Sequence, residues 1–577
     1  MEISYSVKPL KPVPKRVVLA SALSIAVVIL TACGGGRDEG LVATAPAATA
    51  PAAPAADTAL SASAGQVKPV PVVKMTAYAA ARAADQVSFG ATPSLVSALS
   101  QNGLAAWVEA QLASPITKVS VPPWVIDYNR DDAVASRRAY RFGPESFFGL
   151  TLTAPDQLRQ RVSWALLQFV PVNGKVDPYA MAEHFNLLQR HAFGNYGAFL
   201  RELSVHPAMG KFLDNIDNRP LSAQCANCSP NENYARELMQ LFSLGVVKLN
   251  ADGTTQRDAQ GKVIESYSQK DVEELARVLT GWRIAPSATP LPGTNYLNAG
   301  QLMVPDTSAA AHDRGAKTVL GTAFAAGREA PQELDAAIAM LMAHQNIAPF
   351  VSLRMIQHLV TSNPTPQYVG RVAAVFRNNG QGVVGDMKAV VRAVLLDPEA
   401  RLGDQPGADT SRFGKLREPL LFYTASLRGL GCTQPLMWGD GGLLSPPGQA
   451  PFQPASVFSY YLPTDRAPGS NLLAPEQKLL ITDELTQRLG RLTWTLVDGK
   501  NNAASGCDVA TLGQAFAQSP KALIDLVSTR WFRGAMPPTL RSNLTSLATS
   551  QNWDSPDKAA FVLLQFALST PYFGVIK

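Results

Sequence analysis

Two segments carry residue types at spacings that can do chemistry. In His312-Asp313-Arg314-Gly315-Ala316-Lys317 an imidazole and a carboxylate are adjacent, with an amine four residues on. A histidine titrating near neutrality beside an acid suits proton transfer or metal binding. The plainer reading is a loop pinned by its own hydrogen bonds and by an Asp–Arg or Asp–Lys pair. The chain holds six histidines, and the one beside an aspartate in a glycine-containing loop ranks first. In Asn231-Glu232-Asn233-Tyr234-Ala235-Arg236-Glu237-Leu238, helical spacing sets Asn233 one turn from Glu237 and Glu232 one turn from Arg236. Such an Asn/Glu pair can ligate a metal or orient water. Glu237, His312 and Asp313 are therefore the catalytic candidates, with Asn233, Arg236 and Lys317 as binding groups. A divalent metal, as cofactor, would polarise a substrate or activate water. A structural account competes for Glu232: Ser229 as N-cap, Pro230 at the first helical position and Glu232 reaching back in a capping box.

Other constellations are weaker. His184 and His191 lie two turns apart on one helix face, with His206 before Pro207, but hydrogen-bonded helix histidines are the expectation without HExxH spacing. Cys225-x-x-Cys228 precedes a helix start, where a dipole would lower a thiol pKa, yet it lacks the βαβ setting of such redox sites. Gly380-Gln381-Gly382-Val383-Val384-Gly385 matches GxGxxG but follows a helical segment and reads as a helix stop. Neither a Walker loop nor a GxSxG nucleophile elbow is present. The aromatic, proline-rich run from Pro451 to Tyr461 reads first as a rigid loop packed on helices and second as a recognition surface.

The elements that must position these residues are mostly helices. Segment 157–169 has apolar residues at 158, 162, 165, 166 and 169, the spacing of one buried face. The same period predicts helices over 93–101, 104–112, 180–192, 196–203, 233–246, 271–280, 332–345, 350–360, 367–377 and 387–396. It continues over 419–427, 476–497, 520–532 and 556–568. Segment 246–267, with turn signals at Asp252-Gly253 and Gln260-Gly261, predicts one small β-hairpin excursion. The expected fold class is mainly α, a large multi-helix domain over 76–577. A body of this length is expected to hold two or more sub-cores.

The N-terminal segment assigns a place. Lys8, Lys11, Lys15 and Arg16 precede an uncharged apolar run from 17 to 30, shorter than the roughly 20 residues of a spanning helix. It ends at Leu30-Thr31-Ala32-Cys33, the form of a lipobox, so residues 1–32 read as a signal peptide and Cys33 as the lipidated residue. Burial of an acyl chain would hold the protein on a membrane. Gly34 after the lipidated Cys favours the outer membrane, facing the periplasm or the cell surface. Residues 33–75 contain a long Ala/Pro/Thr/Ser/Gly-rich stretch too poor in bulky apolar groups to offset the entropy of ordering, and read as a disordered tether.

Removal of residues 1–32 takes away four positive charges and Glu2, so the formal net charge falls from +6 to +3. With no Lys/Arg cluster interleaved with aromatics, nucleic acid is not the expected partner. Cys225, Cys228, Cys432 and Cys507 remain, and four cysteines in an oxidising compartment allow three pairings. Cys225–Cys228 with Cys432–Cys507 is preferred, because the first pair is close in sequence.

The segment NENYAREL with its continuation FSLGV resembles the signature of the domain of unknown function 1800 family. AARAADQVSFG, LRQRVSWALLQFV, AFGNYGAFLRELSVHPAMGKFLD, YSQKDVEELARVLTGW, HDRGAK, GKLREPLL and GQAPFQPASVFSYYLP with APEQ agree in order, over about 76–577. The resemblance implies an exported, mainly helical protein, often encoded beside an exported partner of the domain of unknown function 1501 family, and supplies no activity. Three functions are weighed. The first is a lipid-anchored binding or assembly module of the cell envelope, acting with an exported partner. The second is a metal-assisted hydrolase gathering Glu237, Asn233, His312 and Asp313. The third is a thiol redox protein using Cys225 and Cys228.

Overall fold

In the computed structural model the described residues are 73–222, 225–286, 298, 300–308, 310–434, 448–480 and 506–577. The signal sequence, Cys33, nearly all of the tether and most of the 476–497 helix expectation lie outside them. Of that last segment, 475–479 forms a short 3₁₀ turn.

The helices start where short polar residues and prolines punctuate the chain. Thr92, Asp177, Thr365, Ser519 and Ser555 each cap a helix N-terminus through a side-chain oxygen, and each is followed by Pro at the first helical position. There the missing N–H costs nothing and the ring presets φ. The first half comprises α1 (Ala77–Val87), α2 (Pro93–Asn102), α3 (Leu104–Ala113), α4 (Pro123–Ile126), α5 (Ala133–Thr153) and α6 (Gln157–Phe169). It goes on with α7 (Pro178–His191), α8 (Tyr196–Ser204), α9 (Pro207–Phe212), α10 (Asn233–Gln240) and α11 (Gln269–Val278). Four short strands follow: β1 (Trp282–Arg283), β2 (Val304–Pro305), β3 (Lys317–Val319) and β4 (Thr322–Phe324). After them come α12 (Ala330–Ala343), α13 (Ile347–Leu359), α14 (Pro366–Arg377), α15 (Met387–Leu396), β5 (Lys415–Leu416) and α16 (Pro419–Gly429). The chain closes with α17 (Ala510–Gln518), α18 (Pro520–Trp531), α19 (Pro538–Thr549), α20 (Pro556–Leu568), α21 (Pro571–Gly574) and β6 (Val575–Ile576).

The fold is mainly α, and among the described residues the strands form three antiparallel pairs, β1–β2, β3–β4 and β5–β6. In the expected hairpin region, 246–267, isolated bridges join Val247 to Glu265, Leu249 to Thr255 and Arg257 to Val263. Gly253 (φ +81°) and Gly261 (φ +79°) make its two turns. Helix α5 was not anticipated. It runs through Gly143-Pro144, a pair that reads as a break, because Phe147 and Phe148 are fully buried there. Phe147 packs edge-on against Phe89, Phe185 and Phe452, with centroids 5.2–6.0 Å away. Burial of an aromatic ring, worth roughly 1.5–3 kcal/mol, offsets a local proline penalty of roughly 3 kcal/mol when two such rings share the turn.

The expectation of separate sub-cores is corrected. One continuous cluster of buried apolar side chains runs from Ala80 to Ile576. The N- and C-terminal parts are tied by buried charge: Asp85 on α1 accepts from Arg417 (3.1 Å) and Arg533 (3.0 Å). Among the described residues no single helix is long and apolar enough to cross a membrane.

Candidate functional site

The HDRGAK segment begins behind Gly281, whose φ of +84° and close approach leave no room for a Cβ: one would stand 2.8 Å from the Cβ of His312. His312 is buried, its Nδ1 3.1 Å from Thr280 Oγ1 and 3.0 Å from the Thr280 carbonyl. Its Nε2 lies 3.2 Å from Glu333 Oε2 but makes no aligned hydrogen bond. Lys317, on β3, donates to both oxygens of Glu333 at 2.8 Å and to the carbonyls of Asp313 and Gly315. Arg277 of α11 clamps Asp313 through Nε (2.7 Å) and Nη2 (3.2 Å), and the carboxyl lies below its usual range: burial raises it, and the Arg277 contacts outweigh that. The segment is thus a charge-compensated fastening of β3 and α11 to α12.

The NENYAREL segment differs from the capping-box expectation. Helix α10 begins at Asn233, not just after Ser229, and Glu232 makes no cap hydrogen bond. Asn231 Oδ1 accepts from the Asn233 N–H (2.9 Å), while Asn218 holds the Asn231 backbone. Glu232 accepts instead from Arg236 (2.7 Å) and Gln269 (2.9 Å). The helix stops at Gln240, because Gly245 at φ +73° lets the Leu244 and Gly245 N–H groups return to the Met239 carbonyl. Asn233 donates to Asp214 (3.0 Å). Glu237 is buried with Oε2 unpartnered, and that burial pushes its carboxyl up to about 7.

Glu232 and Asp313 line the same open cleft, about 370 Å³, with Lys270, Glu273, Glu274 and Arg277. Glu237 and His312 do not line it. Among the described residues no three His, Cys, Asp or Glu side chains are grouped to hold a metal. His184 Nε2 donates to the Val170 carbonyl (2.9 Å), His191 sits 2.5 Å from Glu202, and His206 caps α9. Each is a structural contact. Cys225 is bonded to Cys228 and Cys432 to Cys507, the preferred pairing. Gly380, Gly382 and Gly385 make a turn with positive φ that delivers Asp386 as the α15 cap.

A second polar centre was not singled out from the sequence. Glu418, fully buried before α16, accepts from Trp164 Nε1 (2.8 Å), Gln449 Nε2 (3.0 Å) and the Tyr461 hydroxyl (2.7 Å). Burial would raise its carboxyl, but Lys415, Arg161 and these hydrogen bonds hold it at about 2. Lys415 also lies 3.2 Å from Glu476 Oε1, whose own carboxyl is raised, burial outweighing the lysine. Arg161 Nη2 (2.5 Å) and Lys415 Nζ (3.2 Å) both reach the His358 carbonyl. The His358 ring stacks on Phe169 at 6.0 Å and stays neutral, because burial, Lys415 and Arg161 disfavour its cation.

This centre borders a small pocket of about 60 Å³, walled by α6, α10, α13 and residues 457–463. Gln168, Gln240, Arg354, His358, Ser459 and Tyr461 supply its polar wall. His358 Nδ1 and Ser459 Oγ are buried without a partner, and Ser459 holds a left-handed backbone (φ 65°). In the aromatic run Phe452 and Tyr460 pack inward, as a loop packed on helices requires, while Phe458 is exposed at the pocket. The missed signal was polarity on a core helix. Arg161, Gln168 and Trp164 share α6 with its apolar stripe, and every residue of that helix is buried.

The chain belongs to a family of proteins of unknown function, DUF1800, whose model matches residues 82–575. No curated protein and no solved structure shows significant similarity to it.

Proposed function

We propose that this protein is an exported, lipid-anchored binding or assembly module of the cell envelope, and that the pocket between α6, α10, α13 and residues 457–463 is its binding centre. The observation that carries the reading is the unspent hydrogen-bonding capacity there: His358 and Ser459 are buried, unpartnered and beside an open volume. Buried polar atoms are ordinarily satisfied, so such groups at a cavity wall point to a ligand. Export is supported by the lipobox-like LTAC at residues 30–33 and by the two disulfides. The partner proposed is an exported protein of the domain of unknown function 1501 family.

The test uses the full chain expressed from Met1 and its Cys33→Ala variant, followed by acyl-chain labelling and membrane fractionation. The reading expects labelled protein in the membrane fraction for the wild type only, with the partner co-purifying. Unlabelled wild-type protein in the soluble fraction would overturn the anchor. Repeated cross-linked purification without the partner would overturn the partnership. The metal-assisted hydrolase reading draws no support from the surroundings of Glu237 and His312.

A further inference from the structure

Arg354 and His358 stand one turn apart on α13 and both face the pocket. The Arg354 guanidinium donates to Gln357 Oε1 (2.8 Å) and lies 5.2 Å from the Phe350 ring centroid, and among the described residues it pairs with no carboxylate. The other buried cations of this centre are compensated: Lys415 faces Glu476, and Arg161 sits in the field of Glu418 and Glu476. Glu418, the strongest acid nearby, lies behind Tyr461 and is fully engaged by Trp164, Gln449 and Tyr461. The pocket wall therefore offers a guanidinium without a counter-ion. Beside it stand the Ser459 hydroxyl, the His358 imidazole with its Nδ1 unpartnered, and Gln240, whose Oε1 is taken by Tyr267. The opposite walls are Phe169, Leu241, Val457, Phe458 and Pro463.

From this arrangement we infer that the pocket binds a small organic acid, its carboxylate on Arg354, Ser459 and Gln240 and its apolar body against Phe169, Leu241 and Phe458. The inference rests on the pocket's being the binding centre, and adds the class of ligand. A guanidinium matches a carboxylate in shape as well as charge, and in a partly dry site that contact outweighs its neutral counterpart. Burial lowers Arg354 to about 10, leaving it charged at neutral pH.

The probes are 3-phenylpropionate and its neutral amide, titrated calorimetrically into the intact protein in non-ionic detergent, with empty micelles as blank. The acid is expected to bind about tenfold tighter than the amide. Arg354→Met is expected to abolish that preference, the acid losing about tenfold more affinity than the amide. Should that variant not fold, Arg354→Gln, which keeps a polar side chain without the charge, is read instead, with the acid preference likewise lost. Equal binding of acid and amide, no binding of either, or a preference that survives these substitutions would overturn the inference. Partner co-purification and lipid labelling are read separately, so an absent acid preference leaves the envelope-module reading standing.

Discussion

The HDRGAK cluster and the Glu418 centre are both buried networks of charge, and they end in opposite ways. In the first, Lys317 and Glu333 face one another and Arg277 closes on Asp313, so the charges are met by neighbours a few residues or one helix away, although the buried His312 Nε2 makes no hydrogen bond. In the second, Arg161, the Lys415/Glu418 segment and the Tyr461–Glu476 stretch come from three separate parts of the chain, and the compensation stops short at the pocket. Closed compensation holds elements together; incomplete compensation beside an open volume leaves groups for a ligand. Sequence adjacency of His and Asp marks the first kind and says nothing of the second.

The largest effect that would sharpen the contrast is expected at Lys317. Lys317→Met leaves Glu333 buried without its cation and should cost about 3–5 kcal/mol of stability, read by chemical denaturation. Binding at the pocket of the folded fraction should be untouched, and a selective loss of binding would break the distinction. Next is Glu418→Gln, which keeps the shape and loses the charge, with an expected cost of about 1–3 kcal/mol. The wild type should carry the matching pH signature. The Glu418 carboxyl in the fold is held at about 2, below its ordinary value near 4.5. Its contribution is therefore complete above that ordinary value and is lost as pH falls from there toward 2. Glu418→Gln should show a shallower acid limb in a series of melts.

Glu237 has the reverse sign. With its folded carboxyl raised to about 7, its ionisation opposes folding, so stability is complete below the ordinary value near 4.5 and declines as pH rises through 7. Glu237→Gln should stabilise the protein at pH 8 by about 2 kcal/mol and leave it unchanged at pH 4. A variant destabilised at both values would mean that Glu237 is paired. The smallest effect is expected from Phe458→Ala. This residue is 41% exposed, so the change should shift stability by no more than about 0.5 kcal/mol while weakening ligand binding.

Helix placement was largely legible in the sequence because cap-and-proline starts and apolar periodicity are local. The 157–169 and 387–396 helices fall where their spacing put them. Helix α5 was hidden by Gly143-Pro144, where tertiary packing of Phe147 overrides the local signal. The start of α10 was misread because Asn218, remote in sequence, orders Asn231 and displaces the cap. The Glu418 centre was illegible for the same reason on a larger scale. Arg161 and Glu418 look like surface charges until the fold places them together, though both lie within the sequence blocks that carried the family resemblance.

The most direct test of the central claim is photo-cross-linking in intact cells. A photoreactive amino acid replaces Phe458 at the pocket, or Glu273 at the cleft beside Asp313. The account predicts ligand or partner adducts from position 458 and none from 273. Adducts from 273 alone would place the binding centre at the HDRGAK cleft and contradict it.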